Sequence, residues 1–260
     1  MMNKITRSLG IIVFAIQMIF CTTIALASDE HIKLKKIQWP FEGALGSVDR
    51  QAAQRGFQVY KEVCSVCHSM NQLSYRNLME LGFSEAEVKE IAKSVTVQDG
   101  PNDQGEMFDR EGIPSDKFVK AFPNDEAAKA ANNGALPVDL SLIIKARADG
   151  ANYVYSLLTG YAAPAPTVFK LMAGSNYNEY FPGHQIAMPP PLSDGQVQYI
   201  DGTHASVEQM AHDVAIFLQW AAEPEMEHRK SMGLKVMIFL VVFTIVFYLA
   251  KRRIWARLEK

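Results

Sequence analysis

The run Cys64-Ser65-Val66-Cys67-His68 constrains this chain more than any other feature of its sequence. Two thiols at this spacing can add to the two vinyl groups of a haem, and the histidine that follows can bind the iron as its proximal ligand. The run therefore predicts one covalently attached haem c, bonded to Cys64 and Cys67, with His68 as a metal ligand. A prosthetic group of that size would form the centre around which the chain folds.

Three other roles for the cysteine pair stay open at this point. A zinc site needs two further ligands, but the third cysteine, Cys21, lies in an apolar N-terminal stretch and the other histidines show no His-x3-5-His spacing. A thioredoxin-type redox pair would follow a strand, whereas a helix-like segment precedes Cys64. A structural disulfide would leave His68 without a role.

The N-terminus resembles a secretory signal peptide over residues 1–27. Lys4 and Arg7 precede an apolar stretch, and a small-residue cleavage site comes directly before Ser28. An uncleaved anchor helix is the alternative. In either case the residues that follow are expected to be exported.

The C-terminal end predicts a transmembrane anchor at 229–251. Its apolar stretch 233–250 contains one charged residue, Lys235, and would span about 27 Å, enough to cross the hydrocarbon of a bilayer. Because the tail 252–260 is basic, the positive-inside rule places it in the cytoplasm. The domain at 28–228 would then face the periplasm, with the single span in the cell inner membrane.

The predicted exported domain is acidic. Between residues 28 and 228 there are 16 Lys and Arg against 27 Asp and Glu, a formal net charge of -11, which argues against a nucleic-acid-binding protein. Two acidic runs would attract a basic soluble partner at low salt, although a solvated face kept acidic for solubility is the simpler alternative. The runs are Glu80, Glu85, Glu87 and Glu90, and Asp99, Asp103, Glu106, Asp109, Glu111 and Asp116.

Helix signals recur along this domain, while strand-like alternation is scarce. Predicted helix starts lie at or just after Ser47, Ser84, Asn124, Asp139 and Ser206, with capping-box partners Glu87 and Gln209 for the second and the last. Long irregular stretches at 97–114 and 162–202 are expected to pack on the prosthetic group rather than on themselves. The sequence therefore predicts a mainly α domain.

A second axial ligand would decide between electron transfer and small-molecule chemistry at the iron. Met188 is the first candidate, because Pro189, Pro190 and Pro191 would hold it in an extended backbone and surround the thioether with a rigid apolar wall. His184 and His212 are rival ligands.

Several longer blocks of the chain resemble the cytochrome c1 family. In chain order they are 64–70, 98–103 with 105–108, 130–135 (AANNGA), 153–161 (YVYSLLTGY), 181–183, Met188 with its prolines, 220–225, 228–230 and 232–235. The resemblance implies a cytochrome c-like haem domain with large insertions plus one C-terminal transmembrane helix, with iron held by His68 and Met188. It also implies that Arg147 pairs with a haem propionate. The full set of further cofactor-binding positions that it implies is Asn132, Pro137, Arg147, Tyr153 and Phe181.

The same resemblance implies a function in the respiratory chain. The chain would be the haem subunit of the cytochrome bc1 complex, taking one electron from the Rieske iron-sulfur subunit and passing it to a soluble basic cytochrome c. Cytochrome b and membrane lipid would be its other neighbours, within a dimeric complex, and no substrate active site of its own is expected. A haem peroxidase and the haem subunit of another membrane dehydrogenase are the alternatives.

Overall fold

Helices supply most of the regular structure in the computed structural model, which describes residues 32–161, 164–167 and 169–256. The predicted signal peptide and the last residues of the basic tail lie outside these ranges. The α-helices within them are α1 (Arg50–Glu62), α2 (Glu85–Lys93), α3 (Asp125–Ala131), α4 (Ile143–Ala146), α5 (Gly150–Thr159), α6 (Val207–Ala222) and α7 (Met226–Trp255), and shorter 3-10 segments are Cys64–Val66, Tyr75–Leu81 and Pro182–His184. The expected mainly α fold is confirmed.

Most predicted helix starts are observed with their side-chain caps. Ser84 and Glu87 form the reciprocal capping box of α2, in which the Ser84 amide donates to Glu87 Oε2 at 2.7 Å. Asn124 Oδ1 accepts from the Ala127 amide at 2.9 Å and begins α3. Ser206 Oγ accepts from the Gln209 amide at 3.1 Å and begins α6.

Two predicted starts are corrected. The helix expected after Ser47 is capped by Asp49, whose carboxylate accepts from the Ala52 amide at 3.1 Å. Asp139 does not cap a helix, because α4 begins only at Ile143. Its carboxylate instead accepts from the amides of Asn71, at 2.9 Å, and Ser141, at 2.8 Å.

The stretches expected to be irregular contain two small antiparallel sheets. In the first, β1 (Thr96–Asp99) pairs with β2 (Phe108–Glu111), with Thr96 opposite Glu111. In the second, β3 (Asn176–Tyr177) pairs with β4 (Gln185–Ile186). Both hairpins lie at the surface, and β1 and β2 contain no buried residue, so little alternation marks them in the sequence.

The crossing of α1 and α6 forms the centre of the core. Gly56 allows the close approach, because a Cβ at this position would lie 2.1 Å from the Asp213 carbonyl oxygen. Beside it the rings of Phe57 and Phe217 meet with centroids 5.7 Å apart. Arg55 adds a bidentate ion pair to Asp213, with Nε to Oδ2 at 2.8 Å and Nη2 to Oδ1 at 3.1 Å.

The last helix, α7, leaves this core and carries the predicted anchor. It has 30 residues, and at 1.5 Å per residue it is about 45 Å long. The large apolar side chains of this helix are exposed from Met232 to Leu249. By length and composition it is a candidate membrane span, and the predicted anchor at 229–251 falls inside it.

Candidate haem site

Helix α1 leads directly into the cysteine pair. The helix ends at Glu62, and the chain tightens into the 3-10 turn Cys64–Val66. The amides of Cys67 and His68 both donate to the Cys64 carbonyl, at 3.1 and 2.8 Å. This turn places both thiols and the His68 ring on one short segment, and the two thiols form no disulfide.

The environment of Cys64 is unlike that of a redox-active thiol. Burial, and then the neighbouring Cys67, raise the pKa of Cys64 to about 12. Reactive cysteines in redox pairs have a lowered pKa, usually because they lie at a helix N-terminus or beside a cation. Here the pair is half-buried and follows the C-terminus of a helix, so the geometry favours a neutral thiol over a thioredoxin-type site.

The His68 ring is oriented by the main chain of a distant segment. Its Nδ1 lies 2.7 Å from the Val138 carbonyl oxygen, to which the protonated Nδ1 donates. Burial lowers the pKa of His68, and the hydrogen bond to Val138 offsets this only in part. The ring is therefore neutral near pH 7 with Nε2 left as the basic nitrogen, which is the arrangement of a metal-ligating histidine with its second hydrogen bond in place.

The segment that carries Val138 is fastened to the cysteine turn at several points. The Leu140 amide donates to the Ser69 carbonyl at 2.9 Å, and Asp139 accepts from the Asn71 amide. Pro137, a predicted pocket residue, is half-buried and lies directly before Val138. Asn132, also half-buried, ends α3 and donates from Nδ2 to the Ala128 carbonyl at 2.8 Å.

Met188 is held through its main chain. Its carbonyl accepts from the Tyr161 hydroxyl at 3.0 Å and from Asn176 Nδ2 at 3.4 Å. Tyr161 follows directly on the end of α5, and burial raises its pKa. The Met188 side chain is half-buried, and Phe181, also half-buried, begins the turn at Pro182–His184.

Both rival histidines are engaged elsewhere. The His184 ring stacks on Tyr177 with centroids 5.8 Å apart, and its Nδ1 lies 3.3 Å from the Asn178 carbonyl. The His212 ring stacks on Trp39 at 5.1 Å and lies beside Asp213 on the α6 side of the core. Both rings are thus engaged in contacts with protein groups, and Met188 stays the first prediction for a second iron ligand.

Arg147 and Val138 line one cavity of about 430 Å³, together with Asp139 and Leu142. The Arg147 side chain is exposed, and within the described residues its guanidinium bonds only to the Ala146 carbonyl, at 3.2 Å. Its charge is thus available to an anionic group. Tyr153 lies half-buried on the first turns of α5 and packs against the core cluster.

The donor set fits a haem better than zinc. Across the described ranges, no three side chains of His, Cys, Asp or Glu converge as a metal ion would need. Two thiols and an oriented neutral imidazole on one turn match the requirements of covalent haem attachment.

Two residues of this site carried no recognisable signal in the sequence. Val138 acts through its carbonyl, which any residue could supply, and it lies 70 positions from His68. Tyr161 stands inside a family-specific block, but its hydrogen bond to Met188 follows from the folded path of the chain.

Comparison with known proteins gives a consistent result. The family model described as the Cytochrome C1 family matches residues 39–258. The chain is similar to "Cytochrome c1" of Rhodospirillum rubrum, at 47% identity over 246 residues, covering 89% of this chain and 90% of the relative. It is also similar to "Cytochrome c1-2, heme protein, mitochondrial" of Solanum tuberosum, at 47% identity and 92% coverage of each chain.

A third relative, "Cytochrome b/c1" of Bradyrhizobium diazoefficiens, is 43% identical over 277 residues. The match covers 98% of this chain but 40% of that longer protein.

Proposed function

The chain belongs to the cytochrome c1 family, and from this we propose that it relays single electrons from a Rieske iron-sulfur protein to a soluble cytochrome c. It does so as the haem subunit of the cytochrome bc1 complex. The observation that carries the proposal is the orientation of the His68 ring, which directly follows Cys67 and has its Nδ1 2.7 Å from the Val138 carbonyl oxygen.

Different residues of this chain attach the haem and bind its iron. Cys64 and Cys67 attach haem c, and His68 and Met188 bind its iron. When bound, the haem supplies one-electron oxidation and reduction. The hydrogen bond that His68 Nδ1 donates to the Val138 carbonyl fixes the His68 tautomer, and Tyr161 and Asn176 fix the main chain at Met188. A thioether ligand in an apolar wall favours reduced iron.

The pocket residues would complete the binding of the cofactor. The Arg147 guanidinium, which has no carboxylate partner in the described part of the chain, pairs with a haem propionate. The other proposed pocket residues are all half-buried: Asn132, Pro137, Tyr153 and Phe181. These assignments rest on matching positions in the family and on the exposure of each side chain.

A basic cytochrome c is the proposed electron acceptor because of the charge on the β1-β2 hairpin. Arg110 neutralises Asp99 of this hairpin and Asp116, which follows it, through ion pairs. Other exposed acids of this region form no ion pair within the described residues; these are Asp103, Glu106 and Asp109. Their unbalanced charge would speed the approach of a cationic partner.

Membrane anchoring comes from α7, and the proposed orientation places the haem domain in the periplasm. Lys251, Arg252 and Arg253 lie at the C-terminal end of this helix, where the positive-inside rule predicts the cytoplasm. Cytochrome b and the Rieske protein are the proposed neighbours, within a dimeric complex. The name "Cytochrome b/c1" of the Bradyrhizobium relative supports the first of them.

Replacement of the second axial ligand tests the proposal. We expect Met188→Leu to abolish the sulfur-to-iron charge-transfer band, to lower the reduction potential and to permit carbon monoxide binding to the reduced protein. Met172→Leu is the matched control, because Met172 is 66% exposed. Extraction with acid acetone should leave the pigment on both proteins, because thioether bonds survive it.

Three results would contradict the proposal. Complete loss of colour on extraction would exclude covalent attachment through Cys64 and Cys67. An unchanged spectrum in Met188→Leu would move the sixth ligand elsewhere. Ready binding of carbon monoxide to the unmodified protein would indicate an open iron and favour a peroxidase.

A further inference from the structure

Residues 40–47, which we call the base loop, are fastened to the first turns of α7. The Lys230 ammonium reaches back from the helix and donates to the carbonyls of Phe41, at 2.6 Å, and Gly46, at 3.0 Å. Glu227, one turn earlier, accepts from the Val48 amide at 2.8 Å and pairs with Arg50 at 2.9 Å. Hydrogen bonds therefore join the N-terminal part of α7 to the interior of the loop and to the residue that follows the loop.

The base loop has a defined conformation that presents an apolar tip. The Ser47 amide donates to the Pro40 carbonyl at 3.0 Å and closes the loop. At Gly46 a Cβ would lie 2.0 Å from the Glu42 carbonyl oxygen, so the tight path needs glycine. At the tip, Leu45 leaves 84% of its surface exposed, and Glu42 is the only charged residue of the loop.

The position of Lys230 along α7 sets the height of the loop. The apolar stretch of the helix begins at Gly233, three residues after Lys230, which is about 5 Å at 1.5 Å per residue. The headgroup layer on each side of a bilayer is about 5 to 8 Å thick, given a total near 40–45 Å and a hydrocarbon core near 30 Å. A loop bonded to Lys230 itself therefore lies at the level of the headgroups.

We propose that the base loop is a second membrane contact, with Leu45 inserted among the lipid headgroups beside α7. This rests on α7 being the membrane span of the proposed function. An exposed leucine is costly in water and favourable at the boundary of the acyl chains. Its direct neighbours, Ala44 and Gly46, carry no charge to oppose insertion. A single helix tilts readily in a bilayer, whereas two contacts would hold the haem domain at a fixed height and angle.

Photocrosslinking in the intact complex tests this contact. p-Benzoylphenylalanine is placed at position 45, the complex is kept in membranes with ³²P-labelled phospholipid, and label on this chain is measured after irradiation. We expect severalfold more label than with the same probe at Ile200, an apolar residue that is 100% exposed. Crosslinking of position 45 to another subunit, or no more label than at Ile200, would overturn the proposal.

Two further sets of variants separate the loop contact from the span. Probes at 241, 242, 243 and 244 cover a full turn of α7, and at least one should capture lipid; if none does, the span itself is wrong. Lys230→Met in the background of the position 45 probe should lower lipid capture severalfold. Lys235→Met is the matched control, because Lys235 makes no hydrogen bond to the base loop. If both variants lower lipid capture equally, Lys230 does not set the position of the loop.

Discussion

Asp213 is a fully buried carboxylate in the core of the haem domain. Burial alone raises its pKa, but His212, the bidentate Arg55 and Gln209 outweigh burial and leave the pKa below its usual value. The group is therefore ionised at neutral pH. Removing one partner of a buried pair leaves the other charge uncompensated, which is more costly than the pair itself is favourable.

We predict that Asp213→Asn destabilises the domain by about 3 kcal/mol at pH 7. This value is near the lower end of the range for a broken buried ion pair, because Arg55 keeps Asp201 as a partner. Chemical unfolding followed by near-ultraviolet circular dichroism would measure it. Glu126→Gln, which removes an exposed pair with Lys129, should change stability by less than about 1 kcal/mol. Equal effects of the two variants would refute a special role for Asp213.

The pH dependence of this difference follows from the lowered pKa of Asp213. A carboxyl group with a depressed pKa in the folded state stabilises the protein above its unfolded pKa, about 3.9. That contribution is lost as the pH falls through the folded value. The stability gap between the wild type and Asp213→Asn should therefore be full at pH 7 and shrink below about pH 4.

Individual residues of the site were predictable where the chemistry needs a particular side chain. Cys64, Cys67 and His68 could be selected from the sequence because the proposed covalent attachment of a haem requires that spacing. The carbonyl of Val138 was not predictable, because every residue has a carbonyl and only the folded path selects one. Asp139 was assigned as a helix cap for its side-chain type, yet its carboxylate joins two separate segments.

At the scale of elements, the crossing of α1 and α6 depends on one missing side chain. A Cβ at Gly56 would lie 2.1 Å from the Asp213 carbonyl and 2.8 Å from Phe217 Cβ. The Asp213 carbonyl belongs to the main chain, so a rotamer change cannot relieve this clash and the helices would have to separate. Because α1 leads into the turn Cys64–Val66, such a separation would shift the start of the candidate site.

We predict that Gly56→Ala destabilises the domain by about 1 to 3 kcal/mol, as overpacking of a close contact does. The intrinsic preference for Ala over Gly in helices, worth about 1 kcal/mol, acts in the opposite direction. Gly233→Ala is the matched control, since that glycine lies in α7 with no heavy atom within 4 Å of the added Cβ. Thermal unfolding should show a lower midpoint for Gly56→Ala only; a gain in stability would mean that the helices do not cross as closely as described.

Elements were predictable in proportion to their burial. The amphipathic face of α6 and the capping box of α2 each leave a pattern in the sequence, and both helices are observed. The hairpin of β1 and β2 was missed because neither strand has a buried face to impose alternation. The start of α1 moved from Ser47 to Asp49, a shift within one loop that residue type alone cannot decide.

Negative charge predominates in the haem domain and positive charge at the C-terminal end of the molecule. The haem domain carries a formal net charge of -11 between residues 28 and 228, whereas Lys251, Arg252 and Arg253 follow the apolar part of α7. On the hairpin of β1 and β2, Asp103 and Glu106 are exposed and have no ion-pair partner in the described ranges. Charges of this kind act over about 10 Å at 0.1 M salt and about 3 Å at 1 M.

We therefore predict that association with a basic cytochrome c slows steeply as ionic strength rises. Asp103→Asn with Glu106→Gln should lower the association rate about two- to tenfold at low salt, and the difference should vanish near 1 M. Glu85→Gln with Glu126→Gln changes the net charge equally but removes acids already paired with Lys89 and Lys129, so a smaller effect is expected. Stopped-flow mixing of the reduced protein with oxidised cytochrome c measures these rates. If the two double variants slow association equally, net charge rather than the hairpin attracts the partner, and a rate independent of salt would exclude electrostatic capture altogether.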